Sequence, residues 1–180
     1  MKRQTAFFAA LVSVGLVIAT VFKLAPKLIY NGSKRAPLGF FWMVNGPINR
    51  GDFVAFHVPE RLKKWVVNHD ILPPNTSLLK RVLGLKGDQI CRKNTLIFVN
   101  ERHFATAKLS DKADRSMPSW QGCVTLTDDQ FFLVGDHPDS FDSRYFGPIR
   151  SDLIIAKAIK FRIHGWRHNP TQYSIRKEIE

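Results

Sequence analysis

The sequence predicts a mainly β protein, an antiparallel β domain that follows an N-terminal transmembrane helix. Three features point to it. Residues 6–22 carry no charge, short apolar runs recur between turn-formers along the rest of the chain, and helical spacing shows only briefly. Many short strands with few helices favour an antiparallel arrangement over a βαβ one.

Residues 1–5 open the chain with Lys2 and Arg3, and 17 uncharged residues follow, from Ala6 to Phe22. As helix this run rises about 26 Å, slightly short of a hydrocarbon core of about 30 Å. Lys23 can snorkel, and Leu24 and Ala25 extend the helix until Pro26, so a span is feasible. A cleaved signal peptide would look much the same, but no Ala-x-Ala site closely follows the apolar run, which favours a retained anchor over residues 1–27. Basic residues flank both ends, so the positive-inside count does not orient it.

Residues 28–163 form the predicted domain. Phe40 to Val44 is an apolar run that reads either as a core strand or as an edge dipping into the membrane with an aromatic at headgroup level. Val54, Phe56 and Val58 alternate, as in a half-buried strand, and Leu62, Trp65, Val66 and His69 have helical spacing after Pro59. Leu78 to Leu83 reads as a strand, with short strands at 89–92, 95–99 and 102–105. Residues 106–122 are polar and read as a loop or insertion. Phe131 to Val134 is a buried strand, and 153–163 is a last strand or strand pair. The tail, 164–180, is expected to be weakly ordered, with Ile175 and Ile179 suited to a short terminal helix.

The formal charge of +12, from 27 basic and 15 acidic residues, suits an anionic membrane surface or a nucleic acid. The basic residues are dispersed and form no nucleic-acid-binding module, so no nucleic-acid partner is expected. Cys91 and Cys123 lack metal-ligand spacing. They either form one disulfide in an oxidising compartment or remain buried thiols. Of the six histidines only His164 and His168 have H-x-x-x-H spacing, and they sit in a turn-rich tail, so neither a metal nor a cofactor is expected.

The candidate chemistry starts at Lys80, which sits among Leu78, Leu79, Val82, Leu83 and Leu85. Apolar surroundings disfavour an ammonium and can leave a neutral amine able to take a proton. Alternatively, strand alternation places Lys80 beside Val82 on one face with its stem snorkelling to water.

Residues 80–88, Lys-Arg-Val-Leu-Gly-Leu-Lys-Gly-Asp, resemble the lysine box of the signal peptidase I (S26) family of Ser-Lys proteases. Residues 140–147, Ser-Phe-Asp-Ser-Arg-Tyr-Phe-Gly, resemble that family's last box, and residues 31–40 resemble the nucleophile box of its conjugative-transfer (TraF-type) branch. The resemblance implies an antiparallel β domain of signal-peptidase type, the amino end in the cytoplasm, and the domain on the periplasmic side of a bacterial inner membrane. It implies Lys80 as general base, Ser140 as the hydroxyl that orients it, and Asp142 with Arg144 as a pair bracing the loop. The substrate it implies is a pilin precursor, and passage of the acyl-enzyme to an amine would make the pilin cyclic.

The nucleophile box departs from the pattern Asn-x-(Ser/Thr)-x-Ser-x-Pro-x-Gly. With Asn31, Ser33, Pro37 and Gly39 aligned, the family's catalytic serine falls on Arg35. The nearest hydroxyl is Ser33, two residues early, a shift of about 6.6 Å along an extended strand, against the roughly 3 Å that attack requires. Three readings stay open: Ser33 is the nucleophile after a local backbone shift, the chain is an inactive relative, or Arg35 is a substitution in an otherwise active enzyme. The expected catalytic pair is Ser33 and Lys80, with Ser140, Asp142 and Arg144 in support.

Overall fold

The structure is a computed structural model, and it describes residues 28–69, 73 and 76–161 together with residues 4, 8, 12 and 13. The predicted anchor and tail therefore lie almost wholly outside the described residues. Among the described residues no helix is long and apolar enough to cross a membrane.

Among the described residues from 28 to 161, eleven strands, two short α-helices and one 3-10 turn (Ser151–Leu153, between β10 and β11) follow in order: β1 (Leu28–Asn31), β2 (Gly39–Val44), β3 (Phe53–His57), α1 (Glu60–Asn68), β4 (Ser77–Gly84), β5 (Gln89–Lys93), β6 (Leu96–Val99), β7 (Arg102–Thr106), β8 (Gly122–Thr125), β9 (Gln130–Val134), α2 (Ser143–Phe146), β10 (Ile149–Arg150) and β11 (Ile154–Lys160). They make a seven-stranded sheet, β1-β2-β11-β3-β4-β9-β10, and a four-stranded sheet, β7-β6-β5-β8. Every pairing is antiparallel, as predicted.

The strand over 153–163 is a single one, and it lies between β2 and β3 rather than beside its sequence neighbours. β3 is thus central, which explains why Ala55 is buried along with Val54 and Phe56, where alternation predicted one wet face. β2 divides its aromatics between its two sides. Phe41 is buried against Phe53, whereas Phe40 and Trp42 are exposed. The core reading of that run thus holds for one face, and the other face is exposed.

α1 buries Leu62 and Val66, and its Trp65 stacks on Phe141 at 5.3 Å. It covers the same core as Val54, Phe56, Val82 and Leu133. Within the predicted insertion, residues 107–121 are loop, but Gly122 already opens β8. That strand sets Cys123 opposite Cys91 on β5, and the two form a disulfide across the four-stranded sheet. Such a bond suits a domain outside the reducing cytosol.

Candidate active site

Lys80 lies near the middle of β4, opposite Val54 of β3, and is 2 % exposed. The stem does not reach water. Its Nζ donates to Ser140 Oγ at 2.6 Å. The net pKa of this amine is lowered to about 8, chiefly by burial, which Asp142 and more weakly Asp136 oppose and Arg35 and Arg144 reinforce. Mildly alkaline solution therefore leaves about half of it neutral, the form that accepts a proton.

Ser140 is delivered by the loop after β9, and the close approach depends on Gly135. A Cβ there would stand 2.0 Å from Ser140 Oγ and 3.0 Å from the Arg35 carbonyl oxygen. Gly135 N donates to Asp142 Oδ2 at 2.8 Å, which ties the end of β9 to the loop that follows. Asp142, fully buried, also caps α2 by accepting from Arg144 N and pairs with the Arg144 guanidinium through Nε and Nη2, both at 2.8 Å. Arg144 spends its remaining donors on the carbonyls of His137, Pro138 and Ser140. Burial acts to lower the Arg144 pKa, but the charge and hydrogen bonds of Asp142 outweigh it and the net shift is upward. The lysine, its serine and the bracing pair thus form one connected, dry unit.

Asp136 continues that unit outward. Arg81, next to Lys80 on β4, grips it with two hydrogen bonds, Nε to Oδ1 at 2.9 Å and Nη2 to Oδ2 at 2.8 Å, and its guanidinium lies over the Phe53 ring. Asp136 N in turn donates to the Arg35 carbonyl at 2.9 Å, which fastens residue 35 beside the lysine. Neither Arg81 nor Asp136 was singled out from the sequence. The signal available was the adjacency of Arg81 to Lys80 and of Asp136 to Gly135.

The segment around Ser33 is built differently. Asn31 organises it, with Nδ2 donating to the carbonyls of Ser33, Ala36 and Pro37 and Oδ1 accepting from Ser33 N and Ser33 Oγ. This is an Asx-type turn. Ser33 is exposed and its hydroxyl is engaged by Asn31 at 2.9 Å, whereas Arg35 is half-buried and close enough for its charge to act on Lys80. The structure brings Lys80, Ser140, Asp142 and Arg144 together. Ser33 and Lys80 are not hydrogen-bonded to one another.

The signal peptidase, peptidase S26 family matches residues 1–163. This chain belongs to that family. The family is one of serine endopeptidases, and within it this S26 chain is of the TraF type. A plasmid transfer protein TraF of Escherichia coli is 30% identical over 86% of this chain and 93% of its own length, and a second TraF from the same species is 28% identical over 79% and 90%. Signal peptidase I V of Bacillus subtilis (strain 168) is 29% identical over 86% of this chain and 96% of its own. For an S26 protein, a buried amine held by Ser140 and shifted toward its neutral form is a group able to take a proton from a hydroxyl that reaches it.

Proposed function

We propose that this S26 protein is a membrane-anchored Ser-Lys endopeptidase that processes a pilin precursor for conjugative transfer. Lys80 is its general base, Ser33 its nucleophile, and Ser140, Asp142 and Arg144 hold the base in place. The observation that carries this reading is the buried Lys80 amine on Ser140, with its pKa lowered to about 8. A structural lysine gains nothing from such a position, because its charge is costly there. The transfer function rests on the TraF relatives.

The location fits two further features. The disulfide suits the periplasm. Leu28, Tyr30, Phe40, Trp42 and Ile159, neighbours across β1, β2 and β11, are all exposed and give the domain an apolar, aromatic-rich surface suited to the membrane interface. An acyl-enzyme formed at the membrane would partition between water and a nearby amine, and the latter route gives a cyclic pilin.

Arg35 favours a second reading, in which the chain holds the precursor without cutting it. An arginine stands at the position the family gives to its catalytic serine, and Ser33 is held on Asn31. The test is incubation of the full chain with a pilin precursor. Cleavage that disappears with Ser33→Ala and with Lys80→Met supports the endopeptidase and overturns the holding role. Absence of cleavage both by the natural chain and by Arg35→Ser overturns the endopeptidase.

A further inference from the structure

Beside Arg35 opens a cavity of about 320 Å³, lined by Phe141, Tyr145 and Met117 and by residues of the 108–115 loop. Proton transfer at Lys80 makes no use of this space. Its two carboxylates are already engaged. Asp111 is held by Arg115 and by two backbone amides, which keep its pKa down at about 2, and Asp139 is paired with Lys108 and approached by Lys112 at 3.9 Å.

Arg35 lines the same cavity, and its guanidinium has, among the described residues, no hydrogen-bond or ion-pair partner. The acids close to it are spoken for, Asp136 by Arg81 and Asp142 by Arg144. Its neighbour is instead a second basic group, Lys80. A half-buried fork of donors with no acid of its own, next to a basic amine, is a place for an anion with two oxygens.

The aromatic wall restricts which anion. Compact inorganic oxyanions are strongly hydrated and gain nothing from Phe141 and Tyr145, whereas a peptide's last residue offers a carboxylate and a side chain on one carbon. We propose that this cavity binds the free C-terminal carboxylate of a polypeptide, with Arg35 on the carboxylate and Phe141 and Tyr145 on an apolar terminal side chain. The proposal takes from the functional reading only that a polypeptide reaches this face. It distinguishes finished chain ends from internal bonds, and so gives the site a ligand whether or not the chain cuts.

The test uses the full chain in detergent micelles and an acetylated pentapeptide ending in leucine, offered as the free acid and as the C-terminal amide. The acid is expected to bind at least tenfold more tightly, and the preference is expected to fall below about twofold in Arg35→Gln. Inorganic phosphate at the same concentration should not displace the acid. A carboxylate seated at Arg35 also offsets the charge acting on Lys80, so binding of the acid at pH 8 should draw protons from the buffer and binding of the amide should not. Calorimetry in two buffers of different ionisation enthalpy reads that uptake. Equal affinity for acid and amide, a preference that survives Arg35→Gln, displacement by phosphate, or binding of the acid without proton uptake would each overturn the proposal. Cleavage of the precursor is a separate measurement, so either result can fail without the other.

Discussion

The two sides of the site are made in opposite ways. Around Lys80, most polar groups are buried and paired: Ser140, Asp142 and Ser143 are fully enclosed, Lys80 Nζ bonds Ser140, and Arg144 alone bonds three carbonyls and a carboxylate. Around Ser33, one asparagine side chain holds three residues, Ser33, Ala36 and Pro37, and Ser33 itself faces solvent. The physical demands differ accordingly. A lysine becomes a base only where water is kept off it, whereas a group that meets a polypeptide must stand where the polypeptide arrives.

The largest expected effect strikes the enclosed side. Asp142→Ala leaves the Arg144 guanidinium buried without its carboxylate and removes both the α2 cap and the acceptor for Gly135 N. Breaking a buried pair in this way costs about 3–5 kcal/mol. Denaturant unfolding should show a loss of that size. A loss below about 1 kcal/mol would mean that the enclosed network is not what holds this side together.

A pH titration of stability isolates the lysine. Its pKa is about 8 folded, against 10.5 for an ordinary lysine, so between those values the unfolded chain binds more protons than the folded one and stability must rise with pH. The gain is on the order of 3 kcal/mol when the window is crossed completely. Below about pH 8 both states are protonated and this group contributes no slope. Unfolding midpoints from pH 7 to 11 should climb in the natural chain relative to Lys80→Met. Parallel curves for the two proteins would mean that the amine is hydrated after all.

The enclosed side was legible in part: a lysine inside an apolar strand is an anomaly that chemistry has to explain, whereas the roles of Ser140, Asp142 and Arg144 come from the resemblance to the S26 last box and not from composition. Alternation correctly put Lys80 and Val82 on one face, and the same face proved to be interior. Other parts were not legible. α2 has four residues, too few to show a period, and depends on the Asp142 cap and on burial of all four side chains. β8 is short and follows a polar loop, so its pairing with β5 emerges only once Cys123 faces Cys91. The insertion of β11 between β2 and β3 is a long-range pairing that no local window contains. The cavity at Arg35 likewise joins segments about 70 to 110 residues apart in the chain.

Gly135→Ala tests how close the packing of the enclosed side really is. The added methyl group would fall onto Ser140 and press on the Arg35 carbonyl, so either the loop or β9 must yield. Overpacking of this kind costs about 1–3 kcal/mol. It should also part Ser140 from Lys80, and the midpoint of the lysine's titration should shift with it. A variant with full stability and an unmoved midpoint would show that the loop has slack, and would weaken the contrast between the two sides.

The smallest effects give the sharpest contrast, because one chemical change can be made on both sides. Ser140→Ala removes the only hydrogen-bond partner that the Lys80 amine has among the described residues. An orphaned buried donor costs about 1–3 kcal/mol. Ser33→Ala deletes a hydroxyl that is exposed and bonded only within its own turn, so solvent replaces what is lost and the change should stay within about 0.5 kcal/mol. Both variants differ from the natural chain by one oxygen atom, and side-by-side urea unfolding measures the difference directly. If Ser33→Ala cost as much as Ser140→Ala, the hydroxyl at 33 would have to contact the lysine side in the resting chain, where its bond is to Asn31, and the two sides would be one structure rather than two.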